Sequence, residues 1–121
     1  MNKQQAYNSF WGQFGVSAYE ENTVPENASF PYITYQVLTD DYMNVILPTA
    51  SIWDRSTSWQ RVDELSNEIA ETISRMNTIR LDDGRMFITK GSPFSQHMME
   101  EGDSSIRRNV LTIGVQFLTE F

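Results

Sequence analysis

The amino-acid sequence predicts an α+β fold in two layers, an antiparallel β-sheet with two helices packed on one face. Three observations carry that expectation. Residues 57–76 repeat apolar side chains every three or four positions, residues 106–117 alternate apolar with polar, and aspartate-bearing turns divide two further hydrophobic stretches. With 121 residues the chain is expected to be a single domain, 1–121. A globule of that length buries roughly two-thirds of its unfolded surface.

From Gln4 to Phe14, Ala6, Phe10 and Phe14 recur every four positions with Tyr7 and Trp11 beside them, which predicts a helix stopping near Gly15. Ser17 to Ser29 holds Glu20, Glu21, Asn22, Pro25 and Asn27 without periodicity and reads as a solvated connector. Phe30–Leu38 and Asn44–Trp53 are rich in β-branched and aromatic residues, and Thr39-Asp40-Asp41-Tyr42 turns between them. Pro48 has no N–H to donate, so its strand is expected at a sheet edge or at a bulge.

Thr57 and Gln60 have capping-box spacing ahead of Trp59, Val62, Leu65, Ile69, Ile73 and Met76, a single apolar stripe for which Asn77 offers a C-terminal cap. The opposite face of that helix carries Asp63, Glu64, Glu68 and Glu71. Thr78–Thr89 reads as a second hairpin turning at Asp83-Gly84, with Asp82 opposite Arg85, Leu81 opposite Met86 and Ile79 opposite Ile88. Lys90–Ser105, containing Gly91, Pro93 and Gly102, is expected to be a long mobile loop. Ile106–Phe117 then forms a strand with Leu111, Ile113, Val115 and Phe117 on its buried side.

Composition excludes more than it assigns. The chain has no cysteine and only His97 as histidine, which removes disulfides, thiol nucleophiles and multi-histidine metal sites. A formal charge of −7 repels a phosphate backbone. Met1–Ala6 is polar and Pro48 stops the apolar run Val45–Leu47, so neither a targeting segment nor a membrane span is expected.

His97, Glu100 and Glu101 are the one cluster of metal-ligand types, and they read as solvated loop residues because a site needs further ligands. Asp40, Asp41, Asp54, Asp82 and Asp83 offer carboxylates for acid-base work, yet most fall in turns, where aspartate bonds the local backbone. Ser56-Thr57-Ser58 and Ser104-Ser105 lack a nearby histidine, and Arg107-Arg108 is too small for a nucleic-acid patch. Trp53 and Trp59 read as core. Phe94, Met98 and Met99 put a Met-rich apolar patch in the expected loop, suited either to a partner surface or to packing on the chain's own domain.

The segments Phe30-Pro31-Tyr32-Ile33-Thr34-Tyr35 and Ile52-Trp53-Asp54-Arg55, followed by the helix from Val62 to Ala70, resemble the tail terminator, or tail-completion, proteins of long-tailed bacteriophages. In that family a Pro-Tyr-Ile-x-Tyr-like strand pairs with one ending in an Ile-Trp-like pair, and an amphipathic helix follows. The resemblance implies a non-enzymatic, cofactor-free virion protein that forms a homo-oligomeric ring, typically a hexamer, on the head-proximal end of the tail tube. There it would stop polymerisation of the major tail tube protein and offer a surface to a head-closure or neck protein, while DNA passes through unbound.

A chain this long has a diameter near 35 Å as a sphere, so six in a ring leave an opening of about the same width, enough for duplex DNA. On this expectation Asp63, Glu64, Glu68 and Glu71 are the candidate lumen acids. Pro48, Phe94, Met98 and Met99, with the connector around Tyr19–Asn27, are the candidate subunit or tail-tube contacts. The alternatives are a neck or head-closure protein of the same particle, and a small α+β ligand-binding or enzymatic domain.

Overall fold

The computed structural model describes residues 1–38, 45–76, 78–99 and 102–119. The element order is α1 (Lys3–Trp11), β1 (Ser17–Glu20), β2 (Tyr32–Tyr35), β3 (Thr49–Arg55), α2 (Gln60–Arg75), β4 (Thr78–Arg80), β5 (Gly84–Met99) and β6 (Ile106–Thr119). The strands form one curled six-stranded sheet in the order β1-β2-β3-β6-β5-β4. Its sheet is mixed, not purely antiparallel: β1 runs parallel to β2, and every other neighbouring pair is antiparallel.

α1 starts on a capping box formed by Asn2 and Gln5. Asn2 Oδ1 accepts from the Gln5 N–H at 2.8 Å, and Gln5 Oε1 accepts from the Asn2 N–H at 3.0 Å. Ala6, Tyr7, Phe10 and Trp11 are all buried. Trp11 stacks on Tyr35 of β2 at 6.0 Å, and Tyr7 meets the same ring edge-on at 5.5 Å. The helix ends at Gly12, and the chain reverses through Gly15 at φ 78° before entering β1, a short strand within the expected connector.

At α2 the expected box is absent. Trp59 occupies the N-cap without a side-chain bond, and Ser58 Oγ accepts from the Gln60 N–H at 3.1 Å. Its apolar stripe leaves Met76 exposed at the end but is buried as expected at Val62, Leu65, Ile69 and Ile73. These side chains share one core with Ile33, Ile52, Met86, Ile88, Leu111, Ile113 and Val115, each fully buried aliphatic contributing about 1.5–3 kcal/mol. The alternation of β6 holds: Leu111, Ile113, Val115 and Phe117 are all buried.

Further expectations are corrected by the structure. Pro48 does not mark an edge strand. It sits buried ahead of β3, itself an interior strand between β2 and β6, and its carbonyl accepts from the Ile113 N–H at 3.3 Å. The β4–β5 register places Ile79 opposite Met86 and Arg80 opposite Arg85, because Leu81, Asp82 and Asp83 form the connection and Leu81 N–H bonds back to the Gly84 carbonyl at 2.8 Å. Most of the expected Lys90–Ser105 loop is strand: β5 runs on to Met99 with a register shift between Lys90 and Ser95, and pairs residues 95–99 with residues 111–107 of β6. The predicted turn at Thr39-Asp40-Asp41-Tyr42, the Asn77 cap, Glu100 and Glu101 lie outside the described residues.

Candidate functional site

The two strands that resemble the phage family are neighbours in register. Tyr32 lies opposite Trp53 and Ile33 opposite Ile52. Ile33 and Ile52 face the core at 0% exposure. Period-two alternation then turns Tyr32 and Trp53 to the other face, so Trp53 is not part of the core as expected. There the rings stack at 6.4 Å, the Trp53 indole N–H donates to Thr34 Oγ1 at 3.0 Å, and the Arg108 guanidinium lies over Trp53 at 4.5 Å. Arg108 continues the row through Nε to Ser51 Oγ at 3.0 Å and through Nη1 to Met98 Sδ at 3.6 Å. Tyr32, Trp53, Arg108 and Met98 thus form one cross-strand row over β2, β3, β6 and β5, made of register partners. Burial, and then the neighbouring Tyr19, push the Tyr32 phenol above its ordinary value.

The four helix acids divide into two groups. Glu64, Glu68 and Glu71 are exposed. Asp63 is half-buried and held: its Oδ1 lies 2.7 Å from His97 Nε2 and accepts from Asn109 Nδ2 at 3.1 Å. Partial burial raises the Asp63 carboxyl, but hydrogen bonds from His97 and Asn109 and the His97 charge outweigh it and leave the group below its ordinary value. Asn109 is fully buried and also donates to Ser66 Oγ at 2.8 Å. Around this point Trp59 stacks on His97 at 3.8 Å, and Arg107 lies over Trp59 at 5.2 Å while donating to the Thr57 carbonyl at 3.1 Å. His97, which the sequence offered only with Glu100 and Glu101, instead ties the far end of β5 to the first turn of α2.

The apolar residues expected in the loop also divide. Phe94 packs against the core, so it is not a free contact residue. Met98 and Met99 remain exposed, at 44% and 57%. Gln96 to Met99 are exposed one after another, whereas β3 buries Ala50, Ser51, Ile52 and Asp54.

Of the carboxylates considered for acid-base work, Asp54 is buried beside Arg61 Nη1 at 3.8 Å, and Asp82 Oδ1 lies 2.6 Å from the Met1 ammonium. A cavity of about 360 Å³ opens at the β3–α2 junction, where Asp54, Arg61 and Glu64 line it with Ser56 and Ser58. Among the described residues no group of three or more His, Asp or Glu is placed to hold a metal, and no helix is long and apolar enough to cross a membrane. Comparison with protein-family models and with curated proteins finds no match.

Proposed function

We propose that this protein is a tail terminator: a structural virion protein whose copies form a ring, in the expected form a hexamer, on the head-proximal end of a phage tail tube. It ends polymerisation of the tube protein and provides the surface for head joining, without catalysis and without a cofactor. The observation that carries the proposal is the in-register pairing of Tyr32-Ile33 with Trp53-Ile52, followed after a short turn by the amphipathic α2. That is the arrangement the resemblance implies for these segments. The finer two-layer, tail-terminator-like architecture belongs to the same proposal, and so does the head-proximal place in the virion.

In this reading Glu64, Glu68 and Glu71 face the lumen, and Asp63 serves instead to fasten β5 to α2. An acidic lumen lets a polyanion slide, because like charge opposes retention. Negative-stain microscopy of the purified protein mixed with tail tubes is the direct test. Rings seated on one end of the tube are expected; protein bound only to filled heads would move the assignment to a neck protein.

A further inference from the structure

Both ends of the curled sheet leave backbone open for pairing. β1 is the terminal strand and pairs only with β2. At the other end β4 covers only Arg85–Phe87 of β5, so from Ile88 to Met99 no described strand pairs with β5 on the side away from β6. An open strand presents a row of free N–H and C=O groups, which proteins ordinarily blunt with charge, proline or a bulge. β5 carries all three devices between Lys90 and Ser95: Lys90 itself, Pro93 and the register shift. Beyond Ser95 it has none. Ser95 to Met99 is regularly paired to β6, without Lys, Arg, Asp, Glu or Pro, and its last four residues are exposed.

We infer that the Ser95–Met99 edge of β5 is a docking edge for a second copy of this chain, which adds its β1 edge there and continues the sheet from one copy to the next. Three features select that occupant. The lengths agree: β1 has four residues, about 13 Å of strand, against about 16 Å for Ser95–Met99. The charges complement each other, since Arg107 and Arg108 are the register partners of Met99 and Met98, while Glu20 ends β1 and Glu21 follows it. The two edges also lie at opposite ends of one sheet, so the contact is head-to-tail and repeats, as closure into a ring demands. This contact deepens the ring reading and rests on it for the choice of a second copy.

The absence of cysteine makes cross-linking a clean test. Ser17→Cys chains are mixed with Gln96→Cys chains, and separately with Met98→Cys chains, then oxidised and resolved by mass spectrometry alongside light scattering of the unmodified protein. Cross-links between Ser17→Cys and either β5 variant are expected to dominate, and to be lost in a Glu20→Lys/Glu21→Lys background whose circular dichroism is unchanged. Dominant Met98→Cys to Met98→Cys links would show a twofold arm-to-arm contact and overturn the inference. Rings seen by microscopy without Ser17-to-β5 links would overturn it while leaving the ring reading standing, and a chain that stays monomeric would end both.

Discussion

Asn109 illustrates how a single buried amide joins two elements. Its Nδ2 serves Asp63 and Ser66 on successive turns of α2, and its side chain is fully covered. Asn109→Ala removes two hydrogen bonds, one to a charged acceptor, and leaves a small void. It is expected to destabilise the fold by about 2–4 kcal/mol, read as a lower urea midpoint with an unchanged slope. Asp63 gives the matching pH signature. Its folded carboxyl titrates below its unfolded value, so its contribution is present above about pH 4 and fades as pH falls through the folded value. The stability gap between the wild-type protein and Asp63→Asn should therefore narrow between pH 6 and pH 3; a gap that widens toward acid would contradict the assignment. His97 was visible in the sequence as a lone histidine, but its partner lies 34 positions away. Local spacing carries no information about such a contact, and so the sequence alone does not separate Asp63 from the acids that share its helix face but not its role.

At the scale of elements, the parts that could be read from sequence are those whose burial repeats over many residues. The stripe of α2 and the alternation of β6 each extend through more than ten residues and face one core. β1 is too short to show a period. The far half of β5 was hidden because Gly91 and Pro93 look like loop residues, while in the sheet they mark a register shift. Gly91 has a further, steric reason to be there: a Cβ on it would stand 2.8 Å from the Thr112 carbonyl oxygen and 2.7 Å from the Thr112 methyl. Gly91→Ala is thus expected to force the two strands apart and cost about 1–3 kcal/mol. In amide exchange the loss of protection should concentrate in residues 88–99 and spare α1.

For the whole molecule, charge is distributed more informatively than its total suggests. The −7 chain keeps β5 and β6 free of described acids and collects exposed glutamates on α2. If that helix lines a passage, replacing Glu64, Glu68 and Glu71 with lysine should turn a surface that repels duplex DNA into one that retains it, with retention falling steeply as salt rises. Unchanged DNA delivery by particles carrying the triple variant would remove α2 from the lumen. The length of the β5–β6 hairpin bears on how the chain folds. Two strands of 16 and 14 residues, joined by a short connection, form the longest ladder of the sheet, and its pairs next to that connection, from Met99 with Arg107 to Ser95 with Leu111, are close in sequence. The early closures are entropically cheap there, whereas β3 must find β6 across the whole of α2, β4 and β5. Leu111→Ala, opposite Ser95 near the closing end of the hairpin, should accordingly slow refolding more than it speeds unfolding. The hairpin that carries the open Ser95–Met99 edge would then be the seed on which the rest of the chain condenses, so that edge exists before the remainder of the sheet is assembled.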